Sequence, residues 1–445
     1  MTSSATNMPS IPQRKLNNQK NIISLQRLFQ SEKPLFLSKK QPLMNLILFD
    51  SWCHSHLLPL TYTRPAADLR VGILTLREKW ERRLQPSSTL TRSYLQEKFP
   101  LQTSDDNLLI SGALLPNDQL LDAVKNLQPE EALYDENTLL AFRTADAANL
   151  RNFFDGYLTH PTSALPLRQV NYTGPYDMVV RPYHIFMYNG QEIENDFTLL
   201  TAGRTSQPLS ATNVVIGDPS RIFIEEGATV ECATLNTREG SIYIGRDAEV
   251  MEGCRMRGPI ALCEHAVAKM DAKFYGATTL GPHCKAGGEL SNAVFLGYSN
   301  KAHDGFIGNA VIGEWCNLGA DTNCSNLKNN YSPVRLWNGA TRKMEDTGLQ
   351  FCGLIMGDHS KCGINSMFNT GTVVGVGCGL FGTGFHPKFV PSFSFGTPGH
   401  TYEPHNLDKL FETARIVMAR RHKDFDSIEQ NLLKRVYEIT AYSEN

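Results

Sequence analysis

The chain has almost no excess charge, no metal-type cysteine pattern and no long apolar run. Its net charge is −2 over 445 residues, of which 20% are charged. That balance gives no general pull toward nucleic acid or an anionic membrane. No apolar run approaches the ~20 residues that span a bilayer. Ten cysteines are present, nine of them between Cys232 and Cys378. No CxxC pair occurs among them, and their spacings match no zinc ribbon. Most sit beside glycines or small residues. They read as small core-filling hydrophobes in a reducing, cytoplasmic setting, not as metal ligands or disulfides.

What is present divides the chain into parts, since 445 residues exceed one ordinary core. Residues 1–43 hold seven Lys or Arg and a single acid, Glu32. They read as a disordered tail, a leader-like segment or the product of an upstream start, and are set apart from the fold. From 44 to 175, "MNLILFD", "NLLISGALL" and "TLLAFR" read as buried strands. "GILTLREKWERRL" and "NDQLLDAVKNL" read as amphipathic helices. This alternation predicts an α/β domain. Residues 176–212 read as a helical linker.

A six-residue period follows. Ile244, Val250, Met256, Leu262, Ala268, Phe274, Leu280 and Ala286 are all apolar. At the chain's composition such a run is on the order of one in a thousand per register. The register slips near 290 and resumes at Phe306, Ile312, Leu318 and Cys324, then again from Met356 to Leu380. A six-residue unit makes one short strand and one turn, and three units close a triangular coil with every sixth side chain on its axis. The pattern predicts a parallel β-helix over 213–396, interrupted by the polar loop "KNNYSPVRLWNGATRKMEDTG". Residues 397–445 carry one broken amphipathic helix or two, predicted to cap the coil's open end. The basic cluster "ARRHK" in this extension reads as a solvated face.

Within the repeat, "SNKAHDGFIG" places Lys301, His303 and Asp304 together, and Asn317, Asn323 and Asn326 crowd the next coil around Ala320. His303 lies fourteen residues before Asn317, less than one 18-residue turn, so the two could line one groove. A histidine is the side chain best suited to take a proton near pH 7. Asparagine amides fix a substrate without adding charge.

These residues also carry a family resemblance. The stretch "SNKAHDGFIGNAVIGEWCNLGADTNCSN" resembles the active-site coil of the bifunctional UDP-N-acetylglucosamine pyrophosphorylase/glucosamine-1-phosphate acetyltransferase family, and most closely its GlmU-related Bacteroidetes type. The matches are Ser299, Ala302, His303, Gly308, Ile312, Gly313, Asn317, Leu318, Gly319, Ala320 and Asn326. The resemblance implies a left-handed β-helix, a homotrimer, and acetyl-CoA-dependent acyl transfer to an amino-sugar phosphate. It implies His303 as general base, Asn317 and Asn326 as sugar contacts, Ala320 beside the CoA arm, and Lys273 as a phosphate contact. The sequence departs from the family pattern at Phe306 and Leu327, where the family has tyrosines, and at Ser291, where it has a lysine.

The first half resembles sugar-1-phosphate nucleotidyltransferases through "LLPLTYTRPAADLRVG" at Pro59, Leu60, Thr61, Arg64 and Pro65. Their glycine-rich phosphate loop is replaced by "FDSWCHSH", and their metal-binding aspartate by Ala113. Asp50, Arg64 and Arg70 are the candidate nucleotide residues, and Mg²⁺, drawn in with the nucleotide, is the candidate metal. Arg64, Arg70 and Lys79 read equally well as solvated residues of a loop and a helix. Three functions are therefore open. The first is a sugar-nucleotide biosynthetic acyltransferase with a divergent nucleotidyltransferase half. The second is a nucleotidyltransferase for another sugar 1-phosphate that uses the β-helix to oligomerise. The third is a non-catalytic trimeric sugar-nucleotide scaffold.

Overall fold

The run Asn45–Phe49 forms β1, the second strand of a six-stranded mixed sheet. Its alternating side chains serve two cores: Leu46 and Leu48 join one cluster, Ile47 and Phe49 another. The computed structural model describes residues 44–146 and 165–443, so the expectations for the 1–43 tail lie outside the described residues. The sheet continues through β2 (Ser87–Leu90), β3 (Asn107–Ser111), β5 (Glu131–Asp135), β6 (Thr138–Thr144) and β7 (Arg168–Asn171). Its order is β2-β1-β3-β6-β5-β7, with β1 parallel to both neighbours. The short strands β4 (Leu114–Leu115) and β8 (Asp177–Met178) form a separate pair.

One-turn α1 (Cys53–His56) follows β1. Helix α2 (Leu76–Glu81) is shorter than its apolar pattern, because a Thr75–Glu78 capping box fixes where it starts. Helix α3 (Asp118–Lys125) is capped by Asn117. The predicted linker helix is α4 (Pro182–Thr201), which opens on a proline. It is bonded to the β-helix: Asn189 donates to the Ala277 carbonyl at 2.8 Å.

The left-handed parallel β-helix runs from the strand Val214–Ile216 to Ser394–Gly396. Its interior columns follow the six-residue period. One reads Leu262, Leu280, Phe295, Ile312, Met356 and Val374. The slip near 290 has a local cause. Ala268 and Lys273 pair with Ala286 and Glu289, so this coil's corner is two residues short at Gly287 and Gly288. The nine-residue strands Glu289–Gly297 and Phe306–Glu314 then cross a corner without a break. The interior residue after the slip is Ile307, which pairs with Leu290, and not Phe306, the residue at which the period counted along the sequence resumes.

A second corner carries a stack of rings: His265, His283, Tyr298 and Trp315, with centroids 4.6, 5.2 and 4.2 Å apart. All four have positive φ, between 56° and 60°. The spacing matches the ~4.8 Å rise between paired strands. The C-terminal segment makes two helices, α5 (Leu407–Ala419) and α6 (Ser427–Ser443). They do more than cap an end. They cover Trp315, Val376 and Phe393, and they also reach Tyr62 and Leu95 of the first domain.

The polar interruption is an antiparallel hairpin, Arg335–Asn338 with Lys343–Asp346. It packs back on its own chain. Val334 and Leu336 join the first domain's core, and the Asn338 amide lies 2.9 Å from His56 Nδ1. The outward-facing Val294, Leu296, Val311 and Ile355 of the β-helix belong to that same core. The described residues from Met44 onward accordingly form one unit.

Candidate active site

The His303 corner is built on an exception in the interior. The column Val250, Ala268, Ala286, Lys301 is set by pairing of successive coils, and it continues through Leu318, Cys362 and Leu380. Lys301 is its single charged member and is fully buried. Its ammonium donates to the carbonyl of His303 at 2.5 Å and to that of Asp304 at 2.9 Å. Desolvation pulls its pKa down to about 8, against the opposing pull of Asp304 and Asp321.

His303 sits two residues past Lys301 and is exposed. Among the described residues nothing bonds its imidazole. The following coil holds the corner at two points. Asp321 N–H donates to the Asp304 carbonyl at 2.9 Å, and the Asn323 side chain accepts from Phe306 N–H at 2.8 Å. Ala320 occupies the same corner one coil on, two residues past interior Leu318. Asn326 Nδ2 donates to Asn309 Oδ1 at 2.8 Å. Gly308 lets Phe306 and Asn326 meet, because a Cβ there would lie 2.5 Å from the ring and 2.6 Å from the amide. Asn317 lies on the adjoining face, where Asn300 donates to it at 2.9 Å. Lys273 is exposed, two coils back in the Phe306 column, and 3.9 Å from Glu289. The structure thus puts His303 and Ala320 at one corner on successive coils, with Asn317 beside them, Asn326 one face further along Ala320's coil, opposite Asn309, and Lys273 two coils back.

The first-domain candidates are placed differently. Asp50 is buried at the end of β1. It accepts from Ala66 N–H at 2.8 Å and from the Thr91 hydroxyl. Burial raises its pKa to about 7, although the Thr91 and Ala66 bonds oppose this. His54 Nε2 lies 3.6 Å away, and burial, with Arg92 second, lowers its pKa to about 3. Arg64 is buried between Asp358, which it contacts directly, and Glu314 at 2.9 Å. Asp358 also accepts from the Thr63 hydroxyl at 2.6 Å and from Glu314 N–H at 2.8 Å. For Arg64, burial lowers the pKa, but the two carboxylates outweigh it and the net shift is upward. Arg70 donates to the carbonyls of Leu296, at 3.2 Å, and Ile73. Lys79 is fully buried and pairs with Glu192 and Asp196, both at 2.6 Å.

The expectation that Arg64, Arg70 and Lys79 face phosphates or solvent therefore meets a different arrangement. All three are internal, and all three link the first domain to helix α4 or to the β-helix. Apart from Arg70's bond to Ile73 and its nearby Glu78, their partners lie over a hundred residues away in sequence, so local reading gave no signal of them. The donor set for Mg²⁺ does not fit either. Both oxygens of Asp50 are engaged inside the fold, and Ala113 offers none. Among the described residues no group of three or more His, Cys, Asp or Glu could hold a metal ion. No described helix is long and apolar enough to cross a membrane. The cysteines do fill cores: all but Cys232 are buried.

Comparison with known proteins gives two kinds of match. Residues 46–205 match the family model of sugar nucleotidyl transferases. A 121-residue stretch is 29% identical to the bifunctional protein GlmU of Methanocaldococcus jannaschii, covering 27% of this chain and 27% of that protein's length. Solved structures that superpose on it include AntD, an N-acyltransferase from Bacillus cereus solved as a mutant with dTDP and coenzyme A. That match has 11% identity and a TM-score of 0.22 over 47% of this chain and 91% of the other. UDP-N-acetylglucosamine acyltransferase from Campylobacter jejuni gives 14% identity and a TM-score of 0.21 over 53% and 95%. At these scores the superpositions carry no functional argument. The sequence similarity is thus confined to part of the chain, residues 46–205 for the family model and 121 residues for the archaeal relative.

Proposed function

We propose that the protein works in sugar-nucleotide biosynthesis, moving an acyl group from acetyl-CoA to the amino group of an amino-sugar phosphate at the His303 corner. One observation carries this reading: an exposed imidazole with no bonding partner among the described residues stands on a corner that a buried ammonium and two inter-coil bonds hold in place. In this reading His303 takes a proton from the sugar amine, the amine attacks the thioester carbonyl, and the CoA thiol leaves. Asn317 and Asn326 orient the sugar, Ala320 leaves room for the CoA arm, and Lys273 meets the sugar phosphate.

The working form is a homotrimer. Met270 and Ile364, 65% and 68% exposed, occupy the corner positions equivalent to His303 on other coils. Exposed apolar side chains of this kind suit a surface covered by another copy. The first domain keeps a sugar nucleotidyl transferase sequence while its Arg64 and Arg70 hold the domain junction and Asp50 braces the segment that carries them. A second reading, nucleotidyl transfer with the β-helix used for assembly, is favoured by the family match alone. Two assays run side by side separate them: thiol release from acetyl-CoA across amino-sugar phosphates, and pyrophosphate release from several NTPs with sugar 1-phosphates. Thiol release without pyrophosphate release supports the first reading, and the reverse supports the second.

A further inference from the structure

Lys301 breaks the rule of the β-helix interior. From Val230 to Leu380 every other coil in the column uses an aliphatic, alanine or cysteine side chain at its level, and the last has Gly396. An ammonium there loses its hydration, which costs several kcal/mol unless its hydrogen bonds are replaced. An aliphatic residue such as Leu318, one coil on, would fill the axis without that cost. The two small residues behind it, Ala268 and Ala286, leave space for a long side chain. The charge must therefore serve something besides filling.

We propose that Lys301 is a positioning residue for His303. Its ammonium clamps the carbonyls of His303 and Asp304, two and three residues on, and so fixes the direction in which the imidazole leaves the corner. The clamp is internal, so Lys301 touches no substrate. Three features make it necessary. The coil beneath the corner is two residues short, and only Gly287 and Gly288 underlie it. A Cβ at Gly288 would lie 2.7 Å from the Gly305 carbonyl and 2.9 Å from Asp304 Cα, so this support is close but has no side chains. From the other side the corner receives backbone and Asn323 bonds only at Asp304 and Phe306, leaving the His303 carbonyl to Lys301. The carboxylates of Asp304 and Asp321 balance the charge electrostatically. A misplaced general base loses rate steeply, on the order of a hundredfold for 1 Å.

This inference rests on the acyl-transfer reading, so its test includes a measurement that does not need turnover. Lys301→Met and Lys301→Leu in the full chain remove the charge and keep the axis filled. The expected result is an unchanged or higher thermal midpoint, amide hydrogen exchange over residues 302–305 faster by about tenfold or more, and kcat for thiol release down by roughly 10–100-fold with KM for acetyl-CoA little changed. Having two variants guards against one that fails to fold. Unchanged exchange at 302–305 in a folded variant would overturn the clamp, whatever the activity. Faster exchange with wild-type kcat would overturn its positioning role. A wild-type protein that releases no thiol counts against the acyl-transfer reading, and the exchange data then still decide whether the clamp exists.

Discussion

Two charged clusters dominate this chain, and they stand in opposite environments. The His303 corner is exposed, and its central side chain has no bonding partner among the described residues. The "PLTYTRP" segment is buried, and its Arg64 reaches two carboxylates some 250–294 residues away, Glu314 and Asp358. In the first case the coil presents an imidazole at the surface. In the second, charged groups are consumed by structure. The difference teaches that a motif's residue types do not reveal whether its charges are spare, because that depends on what the rest of the chain brings to them.

The comparison breaks most visibly at Arg64. Arg64→Ala leaves Asp358 buried and unpaired, and removal of one partner from a buried pair costs about 3–5 kcal/mol. Chemical denaturation should show that loss, and a loss below ~1 kcal/mol would show the cluster to be effectively solvated. His303→Ala should do the opposite, leaving the denaturation midpoint in place and lowering thiol release by ~10²–10⁴.

Asp50 sharpens the contrast through pH. Its folded pKa, about 7, lies above the ordinary aspartate value of 3.8, so between these values the native state holds this proton while the unfolded state has lost it. The Asp50 contribution therefore falls as pH rises from about 4 to 7 and stays low above that. Asp50→Asn removes this loss, so its stability relative to wild type should improve between pH 5 and pH 8. Equal differences at the two pH values would mean that Asp50 is ionised throughout. The smallest effect belongs to the hairpin. Asn338→Ala deletes the contact with His56 and should cost about 1 kcal/mol, with no change in thiol release.

Much of this was legible in the residues. The six-residue period located the β-helix, because axis positions admit only side chains that fit. Alternating apolar runs located β1, β3 and β6, and the C-terminal period located α5 and α6. That His303 and Ala320 share a corner follows from coil spacing alone, which also puts Asn326 one face further on. Other features were hidden for identifiable reasons. The shortened corner at Gly287–Gly288 shifts the count, so Phe306 reads as interior while Ile307 is the true axis residue, and Lys301 does not register as buried. Glu314 and Asp358 reach Arg64, and Asp196 reaches Lys79, only through tertiary packing. A linear pattern carries no trace of partners brought together from separate domains.

The central claim is that function resides at the exposed corner and not in the buried segment. The most direct test is acetyl-CoA thiol release by wild type and His303→Ala, measured with amino-sugar phosphates at matched fold and oligomeric state. The account predicts turnover in wild type that falls by at least about a hundredfold in the variant. Turnover in His303→Ala close to that of wild type would contradict it.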